Sequence, residues 1–415
     1  MPPSAAAPRG MRPHIGIFGR RNVGKSSLFN RLLRQDASIV SAEAGTTTDP
    51  VERMVEIHGV GAVQCIDTAG IDDVGALGAA RVERTRQVVD RADAALLVAD
   101  DWGPFETALL GLFRERRVPV IVVCSKSDIR GDSSLENAAR AASATALTFS
   151  AATGEGLDAV IKTLATVLSK AGEAERPAIA GDLVQPGGVA LLVTPIDKEA
   201  PQGRLILPQV QTIRDLLDHG CITMAVRDTE LQSALAALRE PPSIVITDSQ
   251  AFKRVSEIVP VQIPLTSFSI LFARLKGDLE ALAAGAAAIE NLRPGAKVLI
   301  AEACAHHPID DDIGTVKIPR LLRKKVVGEL CIEHAAGRDF PVNIGDFDLV
   351  VHCGSCMLNR RETLARLGKA AEAGVPATNY GMCIAACLGI LGRALKPFPK
   401  ALEAWERKVA MCTKP

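Results

Sequence analysis

The sequence predicts an α/β protein in which a first domain is followed by two smaller domains, each built on a parallel sheet. Short apolar runs, such as those at 120–124 and 297–301, alternate along the chain with longer stretches of helical periodicity. This alternation is typical of strand–helix–strand units. In addition, 415 residues exceed what one ordinary hydrophobic core accommodates, so several domains are expected.

The composition weighs against several classes of protein. The 48 basic and 48 acidic residues balance, and aromatic residues make up only 3% of the chain. Nucleic-acid binding favours basic surfaces and aromatic stacking platforms, so it is not expected here. We identify no apolar run that approaches the length of a membrane span. Ten cysteines without a signal peptide predict a reducing, cytoplasmic location.

Changes in composition predict the domain boundaries. Residues 1–13 are rich in proline and alanine and are expected to form a disordered lead-in. The first domain is predicted over 14–171, and it is followed by a linker over 172–186 that is rich in glycine, proline and glutamate. A second domain over 187–268 and a third over 269–415 complete the chain.

The first domain opens with a predicted phosphate-binding loop. The apolar strand 14–18 leads into Gly-Arg-Arg-Asn-Val-Gly-Lys-Ser at residues 19–26, and a helical pattern follows over 27–33. In this order, backbone amides and the helix N-terminus can bind phosphates. Lys25 is expected to neutralise β- and γ-phosphate oxygens, and Ser26 is expected to bind Mg²⁺. The other residues predicted to contact the nucleotide here are Gly19, Asn22, Val23, Gly24 and Ser27.

Two later motifs predict Mg²⁺ binding and recognition of guanine. Asp67 and Gly70 belong to Asp-Thr-Ala-Gly, where the carboxylate would hold Mg²⁺ through water and the glycine amide would reach the γ-phosphate. Asp128 ends Ser-Lys-Ser-Asp, and its carboxylate matches the two donors on the guanine edge, so GTP is preferred over ATP. The remainder of the predicted base pocket consists of Lys126, Ser150 and Ala151.

With Gly-Thr-Thr-Thr-Asp at 45–49, these motifs resemble the small bacterial GTPases related to Era and TrmE. The resemblance implies that Thr47 is the switch I ligand of Mg²⁺ and that Asn22 helps hold an activating K⁺. Ile71 stands where Ras-like proteins have a glutamine that orients water, so slow GTP hydrolysis is expected unless a cation or a partner stimulates it. Ser125 stands where the group usually has asparagine, which predicts weaker nucleotide affinity.

The second domain is predicted to organise or oligomerise rather than catalyse. Apolar runs at 189–194, 221–226 and 244–247 alternate with helical patterns at 209–217 and 230–238. We find among them no cluster of polar residues that can be assigned to chemistry. A long helix rich in alanine and leucine is then predicted over 270–289.

The third domain carries Cys-Ala-His at 304–306 and His-Cys-Gly-Ser-Cys at 352–356. Each motif follows a short apolar run, at 297–301 and 348–351, and a helical crossover is predicted around 319–327. The two runs should therefore be parallel neighbours whose carboxyl ends bring the motifs to one edge of a sheet. Thiolates and imidazoles suit zinc or an iron–sulfur cluster.

An Era-like GTPase joined to a middle domain and to these two motifs closely resembles the HydF family, the GTPase scaffolds of FeFe-hydrogenase maturation. The resemblance implies a 4Fe-4S cluster on Cys304, Cys353 and Cys356 with an exchangeable fourth position. It also implies a diiron subcluster precursor as cargo, and apo FeFe-hydrogenase and two radical-SAM maturases as partners. The middle domain would form a homodimer. The fold class is then a P-loop GTPase domain followed by two α/β domains.

The fourth ligand and the metal itself stay open. His306 and His352 could bind the metal, orient a thiolate or simply stabilise the fold. Further candidates are Glu302, Asp310 and Cys383, the last of which is followed at helical spacing by Cys387. A zinc-bearing Era-like GTPase acting in RNA modification or ribosome assembly is the competing prediction. A third is a degenerate structural site, for which activity would not need a metal.

Overall fold

The computed structural model describes residues 9–34, 42–43, 51–57, 59–68, 76–129, 133–173, 177–195, 205–303, 312–337 and 340–412. The chain divides into two compact units, Met1–Arg176 and Pro177–Pro415. Among the residues singled out from the sequence, those outside the described residues are Thr47, Gly70, Ile71, Cys304, His306 and Asp310. No helix in the described ranges is long and apolar enough to cross a membrane.

The first unit contains a seven-stranded sheet with helices on both faces. Its strands are β1 His14–Phe18, β2 Ala42–Glu43, β3 Val51–Ile57, β4 Gly61–Asp67, β5 Ala94–Ala99, β6 Val120–Ser125 and β7 Thr145–Phe149. Its helices are α1 Lys25–Arg34, α2 Ala76–Arg91, α3 Pro104–Glu115, α4 Ser134–Ala141 and α5 Leu157–Glu173, and a 3₁₀ turn spans Arg9–Met11.

The strand order in this sheet is β2-β3-β4-β1-β5-β6-β7. The β2–β3 and β3–β4 pairs are antiparallel, and the other pairs are parallel. Strands β1 and β5 are buried along their whole length, as continuous apolar runs in a two-sided parallel sheet should be. Because β1, β6 and β7 run in the same direction, the loops that follow them gather at one edge.

A buried ion pair joins the end of α2 to β3. Arg91 Nη1 lies 2.7 Å from Glu52 Oε1, and both side chains are only 6% exposed. The pair therefore anchors the C-terminal end of α2 to the antiparallel side of the sheet.

The second unit contains two four-stranded sheets. Its strands are β8 Val189–Val193, β9 Ile222–Val226, β10 Ile244–Thr247, β11 Leu265–Ser267, β12 Lys297–Ala301, β13 Cys331–Ala335, β14 Leu349–His352 and β15 Ala377–Asn379. Its helices are α6 Leu207–Asp218, α7 Leu231–Ala237, α8 Phe252–Ile258, α9 Phe268–Lys276, α10 Leu279–Ala286, α11 Ile318–Val326, α12 Arg360–Glu372, α13 Tyr380–Cys387, α14 Leu391–Leu395 and α15 Pro399–Cys412.

Both sheets of the second unit are parallel throughout. The strand orders are β11-β10-β8-β9 and β13-β12-β14-β15. Short 3₁₀ turns span Gly181–Leu183, Ser249–Ala251, Ala287–Asn291 and Ile344–Asp346, and a π-helical turn spans Ile313–Lys317. The predicted class, a P-loop α/β domain followed by α/β domains with parallel sheets, is confirmed.

The predicted neighbours β12 and β14 pair in parallel, with Ala301 opposite His352. Helix α11 lies between them in the chain, as expected for a crossover. Strand β13, the other neighbour of β12, was not predicted from the sequence. Its sequence, Cys-Ile-Glu-His-Ala, has no continuous apolar run, because an edge strand does not need to be buried on both faces.

The single helix predicted over 270–289 is wrong. The chain forms α9 and α10 there, separated at Gly277 and Asp278. Asp278 caps α10, since its Oδ1 accepts a hydrogen bond from the amide of Ala281 at 3.0 Å. Arg360 Nη1 donates to the carbonyl oxygens of Leu275 and Gly277, at 3.0 and 2.8 Å, and so satisfies the end of α9. These caps outweigh the helix propensity of the alanines.

Two groups of contacts join the layers of the second unit. The amides of Ala180 and Gly181, in the stretch predicted as a linker, donate to Asp215 Oδ2 of α6 at 2.8 and 2.7 Å. Arg393 of α14 donates to the carbonyl oxygens of Ser256 and Val259 at the end of α8, at 2.8 and 2.7 Å. Hydrogen bonds therefore connect α8, which belongs with the first sheet of this unit, to α14, which follows the second sheet in the chain.

Candidate functional site

The loop between β1 and α1 adopts the backbone that phosphate binding requires. Asn22 has a φ of +61°, and Gly19 and Gly24 have φ values of +145° and +102°. A Cβ atom at Gly19 would lie 2.2 Å from the carbonyl oxygen of Val98, so a larger residue does not fit. Successive amides can therefore turn inward, as in an anion-binding loop.

The ammonium group of Lys25 lies inside this loop. The side chain is 7% exposed, and Nζ donates to the carbonyl oxygens of Gly19 and Arg20 at 3.0 and 2.5 Å. The group could exchange these carbonyls for phosphate oxygens without leaving the loop.

The two predicted Mg²⁺ ligands within the described residues lie side by side. Ser26 Oγ donates to Asp67 Oδ2 at 3.2 Å. Asp67 ends β4, where it pairs with Ile17 of β1. Burial raises the pKa of the Asp67 carboxyl above its ordinary value, and the Ser26 hydrogen bond and the Lys25 charge oppose that shift. A cation bound here would favour the ionised carboxylate.

Ser125 links the predicted base-recognition motif to the phosphate loop. Its buried Oγ lies 2.6 Å from the carbonyl oxygen of Val23 and 3.1 Å from that of Ala99. The hydroxyl has one proton, so it donates to one of these carbonyls at a time. Lys126 Nζ lies 2.6 Å from Asp100 Oδ2, and Asp128 is exposed.

We expect Ser125→Ala to weaken GDP binding. The change would leave the carbonyl of Val23 without its side-chain donor, at a cost of about 1–3 kcal/mol. If this cost applies only to the nucleotide-bound state, the whole of it appears in the binding free energy, and the Kd rises about 5- to 150-fold. Isothermal titration with GDP measures the effect. Ser127→Ala, in the same motif, is the control, and equal Kd values for the two variants would contradict the assignment.

Arg31 was not predicted from the sequence. From α1 its guanidinium donates to the carbonyl of Ala151, with Nε at 3.2 Å and Nη2 at 2.9 Å, and Nη2 lies 2.8 Å from the carbonyl of Ala152. Ser150 is fully buried, and its Oγ accepts from the amide of Thr153 at 3.2 Å. The predicted base loop is thus held by the helix that carries the phosphate lysine. The one sequence signal for Arg31 is that it lies six residues after Lys25 on the same helix.

The thiols of Cys353 and Cys356 lie on a turn at the carboxyl end of β14. The amide of Cys353 donates to the carbonyl of Ala301 at 2.9 Å, and its Sγ accepts from the amide of Ala303 at 3.1 Å. Ser355 has a φ of +54°, which tightens the turn. The turn is therefore held against the end of β12, and Ala303 immediately precedes Cys304 in the chain.

His352 is buried beneath this turn, at 2% exposure. Its Nδ1 lies 3.0 Å from the carbonyl oxygen of Cys353 and 3.2 Å from Oγ of Ser355. Burial lowers the pKa of His352 to about 4, so the ring is neutral. Nε2 has no hydrogen-bond partner among the described residues. With Nδ1 donating to the carbonyl, Nε2 would carry a lone pair that can bind a metal or accept a hydrogen bond.

Lys276 is a second contact that the sequence did not predict. It ends α9, is 3% exposed, and donates from Nζ to the carbonyl of Leu358 at 3.0 Å. Burial raises the pKa of the Cys356 thiol, and the Lys276 charge opposes that shift. A small pocket lies beside the turn and is lined by Phe272, Ala273, Lys276, Gly277, Leu282, His352, Cys353, Gly354, Ser355, Thr363, Leu367 and Asn379.

Two further candidate ligands have other partners. Glu302 Oε1 accepts a hydrogen bond from Tyr380 Oη at 2.9 Å. Cys383 is fully buried and is hydrogen-bonded to Cys387, which raises its thiol pKa. Within the described ranges, no three cysteine, histidine or acidic side chains form a metal-binding group. Cys353 and Cys356 share the turn after β14, whereas Cys383 lies on α13.

Three sequence models of known families match the chain. Residues 14–126 match a family described as 50S ribosome-binding GTPase. Residues 179–277 match the hydrogen maturase F dimerization domain, and residues 280–397 match the hydrogen maturase F tetramerization domain. The last two matches together span just over half of the chain.

Curated relatives include GTPase Der of Wolinella succinogenes, 44% identical over 122 residues, which are 28% of this chain and 26% of the relative. The tRNA modification GTPase MnmE of Desulfotalea psychrophila is 36% identical over 159 residues, 37% of this chain and 34% of the relative. The chain thus spans about a quarter to a third of these relatives. The first unit is a GTPase domain.

Solved structures with similar folds include the G domain of the FeoB iron transporter of T. maritima. It is 22% identical, with a TM-score of 0.30, and the match covers 39% of this chain and 99% of that one. Aquifex aeolicus Era bound to GDP and aluminium fluoride is 21% identical, with a TM-score of 0.32, over 52% of this chain and 94% of that one.

Proposed function

The chain belongs to the hydrogen maturase F family, and we propose that it is a GTP-hydrolysing scaffold for FeFe-hydrogenase. In this proposal the first unit binds GTP and Mg²⁺, and the third domain binds a 4Fe-4S cluster. The protein then carries a diiron subcluster precursor and delivers it to apo FeFe-hydrogenase, working with radical-SAM maturases.

The observation that carries the proposal is the thiol turn. Cys353 and Cys356 share one turn, and the thiol of Cys353 is 3.1 Å from the amide of Ala303. Ala303 is the last described residue of this segment, and Cys304 is the next residue in the sequence. The donor set of three thiols from Cys304, Cys353 and Cys356 fits an iron–sulfur cluster with one position left for another ligand.

When bound, such a cluster would supply a soft, redox-active site to which a second metal unit can attach. The chain's own residues position it. The carbonyl of Ala301 and the amide of Ala303 fix Cys353, while Lys276 places a positive charge beside Cys356. Thiolates would be favoured by that charge over neutral thiols.

The GTPase domain would act as a switch in this scheme. Among the described residues near the thiols we assign no acid, base or nucleophile, so GTP hydrolysis has no chemical step to drive there. We infer that GTP instead shifts an equilibrium between states that bind the partners differently. Asn22, exposed on the phosphate loop, would help hold a stimulating K⁺ with Thr47 completing the Mg²⁺ site.

The second unit would assemble copies of the chain. The descriptions of its two family matches, dimerization and tetramerization, support an oligomer. A homodimer formed through residues 187–268 is the minimum assembly that we propose.

We expect Cys353→Ser to remove the cluster. Iron and sulfide, near four per chain in the anaerobically reconstituted protein, should fall by at least half, because a weak hydroxyl replaces a thiolate ligand. Metal analysis and the electron paramagnetic resonance spectrum of the reduced protein measure the loss.

Cys331→Ser is the matched control, because Cys331 is exposed on the edge strand β13 and should not affect iron content. Stoichiometric zinc without sulfide in the unaltered protein would contradict the proposal. That result would favour a zinc-bearing GTPase that acts in RNA modification or ribosome assembly. An unchanged cluster signal in Cys353→Ser would remove this residue from the ligand set.

A further inference from the structure

Helix α11 presents an exposed basic face. Val316 of the π-helical turn, Arg320, Lys324 and Val327 follow one another at intervals of four, four and three residues, so they form one row along the helix. All four are exposed, Val316 at 41% and Val327 at 87%. The opposite side packs inward through Ile318, Pro319 and Leu322. The row, named here the α11 face, has two cations in its middle and a valine at each end.

The two cations of the α11 face differ from their neighbours in lacking acidic partners. Arg323 lies 3.2 Å from Glu329, and Lys325 lies 2.8 Å from Glu290. Arg320 and Lys324 form no ion pair with any residue of the described ranges. They also stand four residues apart, where like charges repel and destabilise a helix. The free protein thus keeps two repelling charges that nothing on its own described surface neutralises.

Val327 has a backbone conformation that is unfavourable for a β-branched residue. It directly follows α11 as the C-cap residue, with φ +55° and ψ +43° in the left-handed region, and its amide donates to the carbonyl of Arg323. A β-branched residue is strongly disfavoured there, whereas glycine is the usual residue at this position. The valine gains no burial in return, because it is 87% exposed. An exposed apolar residue kept at a strained position suggests a surface that is covered in a complex.

The α11 face begins at the edge of the sheet that carries the thiol turn. A Cβ atom at Gly314, two residues before Val316, would lie 2.2 Å from Oε1 of Glu302 and 2.3 Å from Oη of Tyr380. Glu302 directly follows β12. The π-helical turn therefore packs against the end of β12, next to the strand end from which the cysteines project. From there the row extends about 16 Å along the helix.

We propose that the α11 face docks an acidic surface of the protein that receives the cargo. The inference rests on the proposed scaffold function, because it assigns the docking surface of the same site. Two unpaired cations call for carboxylates on the partner, and the valines add apolar contact at both ends. Helix α11 lies within the residues that match the tetramerization domain, but a two-fold contact through this face would set the basic row against itself, so we expect the oligomer to form through other faces. Nucleic acid fits less well because the chain has no net charge and few aromatic residues.

The test uses the full-length protein with its cluster reconstituted and apo FeFe-hydrogenase as the probe. The double variant Arg320→Glu with Lys324→Glu should bind the hydrogenase at least about tenfold more weakly than the unaltered protein at low salt. Its affinity should also depend less on salt, because the favourable charge pairs are lost. Lys396→Glu with Lys400→Glu is the matched control, since these exposed lysines have the same spacing elsewhere in the unit.

A single variant separates docking from a structural role. Val327→Gly should raise the melting temperature of the free protein, because it relieves the left-handed strain, and should at the same time weaken hydrogenase binding. A residue with only a structural role would not move the two quantities in opposite directions. Equal binding by the Arg320 and Lys324 double variant and its control would overturn the docking proposal and leave the scaffold function standing.

Two other outcomes would overturn the proposal in different ways. If the unaltered protein, with its cluster intact, does not bind apo-hydrogenase, both the docking surface and the delivery function fail. If the double variant keeps its hydrogenase affinity but loses binding to total tRNA, the face recognises nucleic acid instead of an acidic protein.

Discussion

Replacing Lys25 with alanine is expected to slow GTP hydrolysis by about two to three orders of magnitude, the usual effect of removing one preorganised electrostatic donor. The ammonium group lies within the loop, bonded to the carbonyls of Gly19 and Arg20 and only 7% exposed. It would stabilise the charge that develops on the β- and γ-phosphate oxygens, and no other cation of the phosphate loop is buried in this way.

Single-turnover hydrolysis, with the protein in saturating excess over GTP, measures this effect apart from binding. Lys162→Ala, which changes an exposed lysine on α5, should retain full activity. A Lys25→Ala variant that hydrolyses GTP within a factor of a few of the unaltered rate would show that the lysine is not part of the catalytic machinery. If that variant also loaded and delivered cargo normally, the proposed switch would have to be abandoned.

Removing Arg91 is expected to cost about 3–5 kcal/mol of stability in the first unit. The change to alanine leaves the Glu52 carboxylate at 6% exposure without the guanidinium that lies 2.7 Å away. That loss is a large share of the free energy of unfolding of a typical domain, which is about 5–15 kcal/mol. Replacing both residues together with apolar side chains should cost much less, because no buried charge is then left behind.

Urea unfolding can isolate this effect, because the chain has only two tryptophans and Trp102 lies in the first unit. A Trp405→Phe background leaves Trp102 as the reporter. Arg140→Ala is the control, since it removes an exposed ion pair with Glu136 on α4 and should cost less than about 1 kcal/mol. Similar losses for Arg91→Ala and Arg140→Ala would contradict the importance of burial.

Elements buried on both faces could be predicted from the sequence with nearly correct bounds. The strands at 14–18, 244–247 and 297–301 agree with β1, β10 and β12, because a two-sided parallel sheet demands continuous apolar runs. The parallel pairing of β12 with β14 followed from the crossover rule. Both inferences use local patterns that the fold does not override.

Features set by contacts between distant parts of the chain could not be predicted. Lys276 approaches the thiol turn from a helix that ends about 80 residues earlier, and Arg360 caps that same helix from the other direction. The break between α9 and α10 depends partly on this cap. Neither residue carries a motif, so only the folded arrangement identifies them. The edge strand β13 could not be predicted for a different reason: its exposure to solvent removes the apolar pattern that identifies a strand.

The guanidinium of Arg393 has a consequence for how the second unit unfolds. It satisfies carbonyl groups at the end of α8 from a helix about 135 residues later in the chain. Without that donor these carbonyl oxygens would have to accept from water, so α8 is expected to be more stable while α14 is folded. The two sheets should therefore melt as one cooperative block. During synthesis, the first sheet of the unit would gain this stabilisation only after α14 has emerged.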